Sequence, residues 1–195
     1  MTDRTVEFLP HLERFLAGRT AVRLDEPGAA RAAVAIVVTR EAQASILLVK
    51  RKERSGDPWS GHAAFPGGYS EKTDDSPEST AERETLEETG LELARQGRRL
   101  GRLDDVYPRS IYLPRIIVTP VVFSVPSRLD VRPTDEIDRA VWVEASELFS
   151  PANRAPFVLD MPTGKREFPS IRVAGLTVWG LTERILDQIV SIYQQ

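Results

Sequence analysis

FPGGYSEKTDDSPESTAERETLEETGLEL, residues 65–93, decides how this chain is read. Between residues 71 and 88 it carries eight carboxylates (Glu71, Asp74, Asp75, Glu78, Glu82, Glu84, Glu87 and Glu88) against Lys72 and Arg83. Ser76-Pro77 is a helix start, with serine as N-cap and proline in the first turn, and Gly90 is a stop, so the spacing predicts a short helix over residues 77–89. Glu84, Glu87 and Glu88 then stand at i, i+3 and i+4 and project from one face. Repulsion between exposed like charges at that spacing costs only about 0.2–0.5 kcal/mol per pair, so a solvated acidic helix is one admissible reading. The other is a hard divalent cation, since Mg2+ takes oxygen ligands, keeps several waters and bridges to substrate phosphates. Three neighbours favour the metal. Gly67-Gly68 lets main chain approach a ligand closely. Arg83 can hold carboxylates in fixed orientations. The apolar face of the helix is thin, only Ala81 and Leu86 with Thr85.

Outward from this stretch, 195 residues at 41% hydrophobic suffice for one sizeable core, and a single domain over 1–195 is expected. A net charge of −3 and an isoelectric point near 5.6 give no overall basic surface for nucleic acid or an anionic membrane. The chain has no cysteine, which excludes a disulfide framework and a thiolate metal site and makes the cytoplasm the simplest location. The N-terminus lacks the pattern of a secretory leader, and the longest purely apolar run, Ala32 to Val38, is far short of the ~20 residues that span a bilayer.

Apolar residues Phe8, Leu9, Leu12, Phe15 and Leu16 predict an N-terminal helix within residues 1–20. RAAVAIVVTR and SILLVKR read as two buried strands, followed by the loop KERSGDPWSGH. Strands are also predicted in RLGRLDDVY, RIIVTPVVFSV and AVWVE, with Pro120 signalling an edge or an irregularity. A C-terminal helix over residues 177–193 would dock through Val178, Leu181, Ile185, Ile189 and either Ile192 or Tyr193. Trp142 and Trp179 sit in apolar periodic runs and are expected in the core. Trp59 reads equally as a stacking ring or a loop plug, and His62 as a loop side chain.

Gly68, an acid at Asp74 or Asp75, and then Arg83-Glu84-Thr85-Leu86-Glu87-Glu88-Thr89-Gly90-Leu91 resemble the box of the Nudix hydrolase superfamily, with Thr85 where an aliphatic residue is usual. Leu47-Leu48, Arg51, Gly61, Phe65-Pro66-Gly67-Gly68, Val118 to Val122, Ile137 to Val143 and Val178-Trp179-Gly180-Leu181-Thr182 resemble the coenzyme A pyrophosphatase branch of that superfamily.

The resemblance implies an α/β/α sandwich with a mixed sheet, and Mg2+- or Mn2+-dependent hydrolysis of a nucleoside diphosphate linked to another moiety. By position it makes Glu84 and Glu88 principal metal ligands, Glu87 an assisting one and Arg83 their orienting partner. Gly68, beside Gly67, would offer a backbone carbonyl to the metal, and Arg51 would steady a phosphate. The general base lies in the box or at Glu136. The branch implies coenzyme A or an acyl derivative as substrate, although the loop from Lys52 to Trp59 departs from the branch's pattern. Lys50, Arg51, Lys52 and Arg54 form the nearest basic cluster before the box and are expected to read the 3′-phosphate. A broader pyrophosphatase acting on ADP-ribose, dinucleotides or nucleoside triphosphates is the alternative, and a nucleotide-binding sensor without catalysis is another. The expected partner is a small nucleotide, and the expected state a monomer or homodimer.

Overall fold

The computed structural model describes residues 7–53, 61–108, 113–161 and 164–194. Its spine is a pair of long, mostly apolar strands, β1 (Ala30–Thr39) and β6 (Ile116–Val125), which run parallel from Ala30 opposite Ile116 to Thr39 opposite Val125. Every residue of β6 is buried, as suits a strand covered on both faces. On its other flank β1 pairs antiparallel with two strands in turn, β4 (Gly67–Tyr69) along its first half and β2 (Ser45–Arg51) at Val38. β2 in turn pairs with β7 (Ile137–Glu144) and the two-residue β3 (Ala63–Ala64), while β5 (Arg98–Arg102) closes the far side against β6. This is the expected mixed sheet.

Alternation along β1 divides the core. Ala33, Ala35 and Val37 pack beneath helix α2 (Pro77–Thr89) with Leu47, Ala81, Leu91 and Phe123. Ile36 and Val38 face the opposite way, onto helices α1 (Phe8–Ala17) and α5 (Gly180–Tyr193) through Leu12, Leu186 and Ile189. Helices thus cover both faces, the α/β/α sandwich that the resemblance implied.

Pro120 is not on an edge; it sits inside β6 opposite Val34. Its carbonyl accepts from Leu103 N–H at 3.0 Å, so its nitrogen faces the same flank, where the β5 ladder has already ended at Arg102 opposite Val121. No ladder bond is forfeited there, which is the irregularity a proline requires. The strand expected over RLGRLDDVY also stops at Arg102. Asp104 and Asp105 leave the ladder to receive the segment before β1, through Val22 N–H and Leu24 N–H.

The C-terminal region holds more than a helix. After the one-turn helix α3 (Leu93–Gln96) that follows α2, and the short helix α4 (Ala145–Phe149) that follows β7, strands β8 (Arg154–Met161), β9 (Gly164–Val173) and β10 (Leu176–Trp179) form a second antiparallel sheet in the order β10-β9-β8. Residues 177–179 therefore belong to a strand, and α5 begins at Gly180. Among the described residues, no helix is long and apolar enough to cross a membrane.

Candidate active site

Helix α2 forms where the sequence placed it. The Ser76 hydroxyl accepts from Ser79 N–H while the Ser79 hydroxyl accepts from Ser76 N–H, a reciprocal cap that satisfies two donors of the first turn. Gly90 ends it in the left-handed conformation. The Thr85 hydroxyl, fully buried where an aliphatic side chain is usual, donates to the Ala81 carbonyl at 2.6 Å and so leaves no polar group unmatched.

Two short stretches of main chain then meet this helix. Gly67 and Gly68 pair in β4 with Val34 and Ala33. A Cβ on Gly67 would lie 2.4 Å from the Ala33 carbonyl oxygen, and one on Gly68 would lie 2.5 Å from the Glu84 carboxyl carbon. Only glycine lets the chain lie against the carboxylate this closely. Glu88, 3% exposed, accepts from Gly67 N–H at 3.1 Å and from Arg51 Nη1 at 3.2 Å.

Arg83 is the hub of the acidic cluster. Its Nε and Nη2 donate to the two oxygens of Asp74 at 3.1 and 3.0 Å, its Nη2 also to the Tyr69 carbonyl at 2.9 Å, and its Nη1 to Glu84 at 2.8 Å and Glu87 at 3.0 Å. The acid left open in the sequence is thereby assigned to Asp74. The Arg83 guanidinium holds the Asp74 carboxyl down, at about 2, helped by Glu71 N–H and the Thr80 hydroxyl. Glu84 and Glu88 go the other way. Burial raises both above the usual carboxylate range, Glu88 to about 7, because Gly67 N–H and Arg51 only partly offset the loss of water and Glu84 and Glu136 add repulsion.

Glu84, Glu88, Arg51, Gly67, Gly68 and Glu136 all line one cleft of about 370 Å3. Glu136 reaches it from the exposed turn before β7. Glu87 stays on the outer side of α2, exposed and held by Arg83. The basic cluster is divided by the strand's two-residue period. Val49 and Arg51 face the cleft, whereas Lys50 pairs with Asp138 at 3.3 Å and Lys52 with Asp135 at 3.8 Å. Arg54 and Trp59 lie outside the described residues.

One cleft residue was read differently from sequence. Trp179 is not core: it lines the cleft, with its ring 4.7 Å from that of His62, the loop side chain expected from sequence. The signal missed was its place at the last position of a strand, directly before the positive-φ Gly180 that starts α5. Trp142 is half-buried against the α2-side core, its Nε1 donating to the Leu129 carbonyl at 2.9 Å.

The donor set suits a hard cation: three carboxylates, no sulfur, a glycine cradle under Glu84, and acids whose burial raises their proton affinity. Among the described residues, no three acidic or imidazole groups converge tightly enough to hold an ion as they stand, and Arg83 Nη1 donates to both Glu84 and Glu87.

Residues 29–161 match the NUDIX domain family. An uncharacterized protein of Schizosaccharomyces pombe is 33% identical over 129 residues, 64% of this chain, and the chain spans 39% of that relative's length. Among solved structures, a MutT/nudix family protein of Enterococcus faecalis superposes with a TM-score of 0.54 at 14% identity, over 97% of this chain and 74% of its own. A C. elegans Ap4A hydrolase superposes with a TM-score of 0.50 at 18% identity, over 60% of this chain and 82% of its own. These two likenesses show the fold. With the family match across more than half its length, the chain belongs to the NUDIX domain family.

Proposed function

We propose that this chain is a metal-dependent pyrophosphohydrolase that cleaves a nucleoside diphosphate linked to another moiety. The observation that carries this reading is the Gly68 main chain lying against the Glu84 carboxylate, beside buried Glu88, in the wall of one cleft. Glu84 and Glu88, with Glu87 assisting and the Gly68 main chain beside them, would hold Mg2+ or Mn2+. When bound, such ions neutralise phosphate charge and lower the pKa of a water.

The chain's own residues supply the rest. Asp74 anchors Arg83, and Arg83 presents Glu84 and Glu87 in fixed orientations. Arg51, held at Glu88, would steady a phosphate oxygen. Glu136, on the exposed turn at the cleft, would take a proton from the attacking water.

Within this reaction two substrate readings differ. Coenzyme A and its acyl derivatives are supported by the motifs from Leu47 to Thr182. A broader range, including ADP-ribose and dinucleotides, is favoured by Lys50 and Lys52, which pair with Asp138 and Asp135 rather than facing the cleft. Coenzyme A, its 3′-dephospho form, ADP-ribose, a dinucleotide and a nucleoside triphosphate, each incubated with Mg2+ or Mn2+ and the products weighed, separate these. Coenzyme A is expected to give 3′,5′-ADP and phosphopantetheine. Preferred cleavage of ADP-ribose selects the broader enzyme, and binding without any product selects the sensor.

A further inference from the structure

Three aromatic rings cross the second sheet on one face. Phe157 of β8 stands directly opposite Phe168 of β9, and Trp179 of β10 pairs with Ser170, two residues along from Phe168 on the same face. The indole centroid is 4.6 Å from Phe157 and 5.5 Å from Phe168, with tilts of 34° and 53°. The opposite face of this sheet is the one that joins the core, through Ile171, Val173, Leu176 and Val178. The aromatic face is therefore not needed to bury the sheet, and a hairpin without other duties would carry polar residues there. Instead its rings back the one side chain of β10 that reaches the cleft.

The side of the cleft to which Trp179 belongs has a distinct chemistry. Side chains contributed by β1, β6, β10 and α5 are Ala32, Val34, Ile116, Val118, Trp179, Leu181, Thr182 and Ile185, with no charge among them. Among the described residues, the charged lining comes from Arg51, Glu71, Glu84, Glu88 and Glu136. A diphosphate held at the charged side would leave one of its two substituents against an apolar surface. Most of the supporting hairpin and all of α5 lie outside residues 29–161, which suits a feature of this chain rather than of the shared box.

We propose that the β8–β9 hairpin is the specificity wall of the site: Phe157 and Phe168 fix the Trp179 indole, and Trp179 selects substrates whose second moiety is apolar over those whose second moiety is a sugar. Phe157 and Phe168 act here as positioning residues. The inference rests on the pyrophosphohydrolase reading.

The test uses two substrates that share adenosine and pyrophosphate, ADP-ribose and the β-octyl ester of ADP, on the full chain with Mn2+. Wild type is expected to favour the octyl ester. Trp179→Ala and Phe157→Ala are each expected to lower the octyl-to-ribose ratio of kcat/KM by about tenfold, chiefly through the KM for the octyl ester. Trp179→Phe is expected to keep most of the ratio. Val158→Ser, on the opposite, exposed face of β8, is expected to change neither substrate. A wild-type ratio in Phe157→Ala or Trp179→Ala, or a wild-type preference for ADP-ribose, overturns the wall while leaving the hydrolase intact. Cleavage of coenzyme A but of neither ADP substrate likewise overturns the wall alone; failure of wild type to cleave these two and every substrate of the panel above overturns the pyrophosphohydrolase reading itself, and the wall with it.

Discussion

Glu88 carries the sharpest conflict in the chain, a carboxylate 3% exposed with Glu84 and Glu136 acting against its charge. Its folded pKa of about 7 lies above the ordinary carboxylate value near 4.3, so in the metal-free protein the folded state binds the extra proton between those limits. Stability is therefore lost as pH rises from about 4.3 to about 7. Metal-free Glu88→Gln, which can still accept from Gly67 N–H, should melt at the same temperature as wild type or higher at pH 8, with the difference closing towards pH 4. A large loss at pH 8 would make Glu88 a structural residue. Asp74 has the opposite sign. Its folded pKa of about 2 lies below the unfolded value near 3.9, so its contribution is present above about pH 4 and disappears as pH falls through 2. Urea unfolding should find Asp74→Asn less stable than wild type at pH 6 and nearly equal at pH 2, whereas a gap independent of pH would sever Asp74 from Arg83. Residue identity was legible in the sequence here, but direction was not. Arg51 and Lys50 look alike as letters, and only the strand's two-residue period with their pairing to Glu88 and Asp138 separates them.

At the scale of elements, the β4–α2 unit separates two kinds of glycine. A Cβ at Gly67 would strike the main chain of Ala33 and Val34, which cannot yield, so Gly67→Ala should lose about 2–3 kcal/mol in chemical denaturation. A Cβ at Gly68 would strike the Glu84 carboxylate, the far end of a flexible side chain. Gly68→Ala should therefore stay within about 1 kcal/mol of wild type yet lose about a hundredfold in kcat, because a carboxylate displaced by an ångström no longer presents its oxygens correctly. Equal effects of the two substitutions on stability would contradict this division. Ser76→Ala should cost about 1 kcal/mol through the lost cap. This helix was readable because its signals are local: Ser76, Pro77 and Gly90 punctuate it within the sequence. The second sheet was not, because Pro156, Pro169 and the run Lys165-Arg166-Glu167 interrupt the alternation that marks a strand, and its pairing is set by contacts with α5 and the cleft.

For the whole molecule, the α/β/α sandwich sets α2 with its carboxylates on one face of the sheet, where β1 divides its pairing between β4 and β2, and packs α1 and α5 on the other. The cleft opens at that division, bringing Arg51, Gly68, Glu84, Glu88 and Trp179 from distant parts of the sequence into one cleft. Fold and box were legible because both are periodic or local patterns. The cleft's apolar side was not, since it is assembled from β1, β6, β10 and α5, which touch only in three dimensions. The central claim is that the box carboxylates act through a divalent cation. It is tested most directly by the turnover of a pyrophosphate substrate by wild type and Glu88→Gln, with Mg2+, with Mn2+ and in excess chelator. Wild type should turn over with either ion and not in chelator, and a folded Glu88→Gln protein should lose about a hundredfold or more. Wild-type turnover that survives the chelator, or a Glu88→Gln protein as fast as wild type, would contradict it.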